Sequence, residues 1–151
     1  MSFKTFQDII DFAFEREKEA EQFYLEASEM ESLSGHKELF KEFALEERKH
    51  QGMLKNIEKT DLSGYKWKWI PDIKRSNYQV DIAYEKGMSY RDILVLASKR
   101  EEKALALYNE LQDRAESEQV KKVFKALCQE EAKHKLKFET LLDDYMAKMG
   151  D

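Results

Sequence analysis

At 151 residues the chain is long enough to bury a core and short enough to do so as one domain, 1–151. A single proline and five glycines leave little to interrupt long helices, and 42% apolar with 38% charged residues is the balance of amphipathic ones. The net charge of −5 is spread without a basic block for nucleic acid, no apolar run reaches the length of a membrane span, and a lone cysteine excludes an internal disulfide or a Cys-x-x-Cys site. Met1-Ser2-Phe3-Lys4-Thr5 lacks the apolar stretch of a signal peptide, so a cytoplasmic location is expected.

The first helix is predicted to start at Thr5, where Thr5-Phe6-Gln7-Asp8 has the form of a capping box with an acidic fourth residue. Ile9, Ile10, Ala13, Phe14, Ala20, Phe23, Tyr24 and Ala27 follow at helical spacing, with Glu17 among them. Ser32-Leu33-Ser34-Gly35 breaks this pattern. A second helix from about Lys37 carries Leu39, Phe40, Phe43, Ala44, Glu47, His50, Leu54 and Ile57 on one stripe. The character changes between Asp61 and Gly87, which hold Pro71, both tryptophans and the alternation Tyr65-Lys66-Trp67-Lys68-Trp69. Ser89-Tyr90-Arg91-Asp92 repeats the capping signature and opens a third helix through Ile93, Leu94, Ala97, Glu101, Ala104, Leu107, Tyr108 and Leu111. After a polar break at Glu116-Ser117, a fourth helix carries Val120, Val123, Phe124, Leu127, Glu131, His134, Phe138 and Leu141, and the tail from Asp143 is expected to fray.

The two halves repeat. Shifted by 84 residues without a gap, 5–58 lies on 89–142, with identities at Asp8/Asp92, Ala13/Ala97, Arg16/Arg100, Glu17/Glu101, Ala20/Ala104, Tyr24/Tyr108, Phe40/Phe124, Glu47/Glu131 and His50/His134. Each half is a helical hairpin, 5–60 and 89–146, which cannot bury its own apolar face and should pack on the other. The crossover 61–88 is long enough to run the roughly 39 Å of a 26-residue helix. The fold expected is all-α: an antiparallel four-helix bundle with the long crossover between helices two and three that ferritin-like bundles show.

Glu47-x-x-His50 and Glu131-x-x-His134 each put a carboxylate and an imidazole on one helix face, because residues three apart are neighbours there. With Glu17 and Glu101 they make four carboxylates and two histidines, the donor set of a di-iron or di-manganese bundle. Four carboxylates nearly balance two divalent ions, whereas without metal the same groups would repel and resist burial. A bundle with no metal, its charges paired at the surface, is the alternative.

Other residues carry less. Tyr24 and Tyr108 lie two turns beyond Glu17 and Glu101 and could hydrogen-bond the ligand carboxylates, or serve only as core aromatics. Glu46 and Glu130 adjoin the ligands but point about 100° away, which favours solvation or interhelical pairing. Glu21 shares a face with Glu17, yet its repeat mate is Leu105. His36, with Leu33 three residues before it, is read as a surface residue. Cys128 is read as a small buried hydrophobe, and Trp67 and Trp69 as crossover aromatics packed on the bundle.

Over about 5–33, 35–60, 89–115 and 117–146, on Glu17, Glu47-x-x-His50, Glu101 and Glu131-x-x-His134, the chain resembles the rubrerythrin branch of the ferritin-like superfamily. The resemblance implies two iron ions in a dinuclear site, with manganese or zinc also suited to these donors. Bridging and terminal roles would be divided between the pair Glu47/Glu131 and the pair Glu17/Glu101, in an order that the sequence leaves open. Relatives often add a rubredoxin domain with four cysteines, for which this chain has neither the room nor the cysteines, so a separate donor such as a rubredoxin is implied. Ala104 stands where the family carries an extra glutamate three residues after the third-helix ligand. Relatives are often dimers, and exposed helix stripes here permit a homodimer. The activity implied is a di-iron redox protein that reduces hydrogen peroxide or oxygen, or oxidises ferrous iron. A non-enzymatic iron-binding module and a metal-free scaffold stand as alternatives.

Overall fold

Helix capping sets the frame. In the computed structural model, which describes residues 3, 5–30, 35–59, 75–78 and 87–149, α1 spans Phe6–Ser28 behind an extended Thr5 whose hydroxyl accepts from the Asp8 amide at 3.0 Å. Helix α3, Tyr90–Arg114, begins the same way, with Ser89 accepting from the Asp92 amide at 3.1 Å. Each cap satisfies an otherwise orphaned N–H and sets an acidic residue in the first turn, where the helix dipole favours it. Gly87, at φ +89°, supplies the left-handed residue that turns the chain into this start. Helices α2, Lys37–Lys59, and α4, Glu118–Met149, complete the set, and a 3-10 turn at Arg75–Tyr78 packs on α3.

Two sequence expectations shift. Helix α1 ends at Ser28, ahead of the Ser-rich break, where the Glu29 amide folds back on Glu26 and Ala27 carbonyls and the Ser28 hydroxyl donates to Leu25 O at 2.6 Å. Helix α4 does not fray at Asp143 but runs to Met149. Leu141 and Leu142 pack on the core and Tyr145 meets Tyr90 edge-on at 5.3 Å, which holds the last turns down. Pro71 and the Tyr65–Trp69 alternation lie outside the described residues.

Helix α1 pairs with α2 and α3 with α4, while α1 faces α3 and α2 faces α4. The core is in two parts. Ile9, Ile10, Ala13, Leu54, Ile57, Leu107, Leu111, Val120, Phe124 and Leu127 fill one end. Ala20, Phe23, Tyr24, Phe40, Phe43, Ile93, Leu94, Ala97 and Phe138 fill the other, with Phe43 and Phe138 rings 4.5 Å apart. Each fully buried Leu, Ile or Phe contributes about 1.5–3 kcal/mol. Helix α2 therefore ends where α1 begins, and α3 starts at the opposite end. Among the described residues no helix is long and apolar enough to cross a membrane.

Candidate metal centre

Between the two halves of the core lies a layer of charge. Glu17 from α1, Glu47 and His50 from α2, Glu101 from α3, and Glu131 and His134 from α4 are each no more than 3% exposed. The sequence-predicted set thus converges from all four helices. Helical register does the work: each ligand occupies a core-facing position in the stripe of its helix.

The donors form two overlapping groups. Glu17, Glu47, His50 and Glu131 each offer an atom within 4.8 Å of the others, and so do Glu47, Glu101, Glu131 and His134. Glu47 and Glu131 belong to both. The Nδ1 atom of His50 lies 2.7 Å from Glu131 Oε1, 3.3 Å from Glu17 Oε2 and 3.4 Å from Glu47 Oε2. Yet His50 Nδ1 and Glu131 Oε1 do not meet in hydrogen-bond geometry, and Glu17 Oε2 and Glu101 Oε2 are likewise buried without a partner. Leaving such atoms unsatisfied costs about 1–3 kcal/mol each, more when charged. Orphaned donors aimed at a common interior are what a cation would satisfy, so the residues present fit a dinuclear metal site.

Both tyrosines bond the ligand carboxylates, but across the bundle. Tyr108 Oη donates to Glu17 Oε1 at 2.7 Å, and Tyr24 Oη donates to Glu101 Oε1. Each tyrosine serves the glutamate of the opposite hairpin rather than the one two turns back in its own helix. Burial, then the nearby carboxylates, holds both phenols well above their ordinary value, so they stay protonated donors.

Protons are shared within the layer. Burial, then the charges of Glu101 and Glu17, holds Glu47 well above the usual carboxylate range. Burial pushes Glu17 the same way, but the neighbouring Glu47 carboxyl, the His50 imidazole facing it and the Tyr108 phenol together outweigh it and leave Glu17 low. Burial depresses both imidazoles, and the carboxylates outweigh it: Glu17 lifts His50, while Glu101 and Glu46 lift His134.

Glu46 is the residue that sequence reasoning undervalued. It makes an interhelical contact, and its partner is a candidate ligand: Glu46 Oε2 meets His134 Nε2, while Nδ1 of the same ring faces Glu47 at 3.1 Å and Glu101 at 3.6 Å. A carboxylate on the far nitrogen is one of the partners, with backbone carbonyls and water, that fix the orientation and tautomer of a metal-bound histidine. Only the repeat of Glu46 at Glu130 hinted at this. Glu21 accepts from Gln51 at 2.8 Å and joins neither group. His36 is half-buried, stacked on Tyr90 at 5.0 Å rather than free at the surface. Cys128 is 7% exposed, its thiol donating to Asn109 Oδ1 at 3.3 Å, and burial followed by Asp113 pushes it up to about 11.

Comparison with known proteins agrees with this geometry. A solved structure from Thermotoga maritima, described as a candidate ferritin-like diiron-carboxylate protein, superposes with a TM-score of 0.77 at 22% identity, covering 96% of this chain and 99% of that one. At that identity the likeness shows the fold. No curated protein matches the chain. The family model for rubrerythrin matches residues 4–66 and 92–149, the two repeated halves that carry every ligand candidate. With most of its length matched, and with all six donors in those segments, this chain belongs to the rubrerythrin family.

Proposed function

We propose that the protein is a di-iron oxidoreductase that reduces hydrogen peroxide or oxygen with electrons from a separate donor protein, a rubredoxin being one such. The supporting observation is the buried layer of four carboxylates and two imidazoles with orphaned donor atoms. Glu47 and Glu131, common to both groups, would bridge two ions. Glu17 with His50 would complete one ion and Glu101 with His134 the other. Iron bound there would supply two electrons by passing between ferrous and ferric states. Family membership favours iron, since oxygen and nitrogen donors also suit manganese and zinc.

The chain's own groups do the rest. Tyr24 and Tyr108 hold a proton at Glu101 and at Glu17, within the layer where reduction of peroxide to two waters consumes two protons. Glu46 holds the His134 ring. The two hydrophobic half-cores keep bulk water from both ends of the layer. A homodimer is part of this proposal, resting on family membership.

The test is metal analysis of protein purified without added metal, followed by stopped-flow oxidation of its reduced form by peroxide and by oxygen. Two irons per chain with rapid, selective oxidation is expected, as is loss of both ions in Glu47→Ala/Glu131→Ala. Slow, unselective oxidation of a loaded site makes the protein an iron-binding module. Failure to bind two ions makes it a scaffold.

A further inference from the structure

The charged layer is closed unevenly. On the α1–α3 side a cavity of about 30 Å³ reaches the four carboxylates, room for a molecule of two or three heavy atoms. Ala20 and Ala104, repeat mates one turn beyond Glu17 and Glu101, line it, and their small side chains leave that space open. Its other polar lining includes three cations: Arg16, Arg100 and Lys103.

These cations are held in place. Arg16 stacks over Phe12 at 4.8 Å and pairs with Glu19 at 2.6 Å, and Arg100 stacks over Phe23 at 5.0 Å. Lys103 is tied to the Asn77 carbonyl at 3.2 Å. The Nε atoms of Arg16 and Arg100 are buried with no hydrogen-bond partner among the described residues. The opposite, α2–α4 side of the layer presents Glu46 and Glu130 beside His134. The cavity thus joins the four carboxylates to three cations, whereas on the opposite side Glu46 and Glu130 stand beside His134.

We propose that the Arg16–Arg100 side is the port of the metal centre and that the two guanidiniums make it selective for small monoanions of two or three heavy atoms, a class that includes hydroperoxide. This rests on the dinuclear reading above and names the residues that would choose its ligand. Positive charge around a narrow opening raises the local concentration of anions and repels free cations, and the unpaired Nε–H groups are donors for an anion seated on the metals.

The probes are azide, an anion titrated into the oxidised iron-loaded protein by its absorption, and nitric oxide, a neutral diatomic titrated into the reduced form. Iron content is measured first. Native protein and Arg16→Gln/Arg100→Gln should each hold two irons per chain. The double variant should bind azide about a hundredfold more weakly, the loss of two charge-assisted hydrogen bonds, and bind nitric oxide within about twofold of native. Ala20→Leu/Ala104→Leu, which fills the cavity, should slow the binding of both probes. Unchanged azide affinity in the arginine variant overturns the port, as does equal weakening of both probes, which would make the arginines structural. A native chain that fails to hold two irons overturns the dinuclear reading itself, before any probe is added.

Discussion

Replacing Glu47 with glutamine separates two consequences of burying carboxylates together. Glu47 is 1% exposed, and its donor atoms lie within 4.8 Å of those of Glu17, Glu101 and Glu131. At that distance and an effective dielectric near 20, each pair of full charges repels by roughly 3.5 kcal/mol. The His50 and His134 imidazoles, whose charged forms these carboxylates favour, offset about two such pairs when protonated, which leaves one uncompensated. Linkage gives the same sign: a carboxyl held above its unfolded value costs about 1.4 kcal/mol of stability per pH unit above that value, until its folded pKa is passed. Glutamine removes that penalty but satisfies its neighbours less well, so metal-free Glu47→Gln should be about 1–3 kcal/mol more stable than native at neutral pH and melt several degrees higher. With metal the order reverses. Native protein gains about 2.7 kcal/mol at a hundredfold excess over Kd, and the variant, lacking a carboxylate common to both donor groups, should gain little. Thermal melts of both proteins, chelated and iron-loaded, check this. A metal-free variant that melts below native, or a loaded one with two ions and the native shift, would refute the reasoning.

The same groups fix a pH dependence for the metal-free protein. Glu47 and both histidines hold protons more tightly folded than unfolded, so their stabilisation is complete below 4.5 and 6.5 respectively and is lost as pH rises through their raised values. Glu17 has the opposite sign and loses its contribution only as pH falls below 4.5 toward its lowered value. Chelated protein should therefore melt progressively lower as pH rises above 4.5, and more steeply above 6.5 where the histidines join, while the rise in Tm on adding metal grows; a flat profile contradicts the assigned shifts. Tyr108→Phe removes a buried bond to a carboxylate and should cost about 1.5–3 kcal/mol in urea unfolding, with Tyr24→Phe similar; a loss under about 0.5 kcal/mol would mean the phenols are only core aromatics. Cys128, buried and with its thiol near 11, should react with a thiol reagent at neutral pH far more slowly than the denatured chain does. Immediate stoichiometric labelling of folded protein would contradict that.

What the sequence could show was register. Glu17, Glu47, His50, Glu101, Glu131 and His134 were legible because the 84-residue repeat preserves their helical phase beside Ala13, Tyr24, Phe40 and their mates, and phase decides which face is buried. The capping residues Thr5 and Ser89 were legible for the same local reason. Relations between helices were not. Tyr24 lies in sequence near Glu17, yet bonds Glu101, 77 residues away, because the hairpins pack antiparallel across the bundle. Glu46 sits off the ligand face of α2 and reaches His134 only because α4 packs beside it. The stop at Ser28 and the persistence of α4 to Met149 likewise depend on contacts that local propensity does not encode.

The placement of the ligands between two apolar clusters also bears on how the bundle holds together. Every helix crosses the charged layer once, and among the described residues the buried apolar side chains fall into two clusters that face each other across that plane. With metal in place that plane is a rivet, and loosening one end strains the other. With protons alone it is a seam, along which Ile9, Leu54, Leu111 and Phe124 can come apart while Phe40, Leu94 and Phe138 stay closed. The ions would then set not only how stable the fold is but how many pieces it melts in.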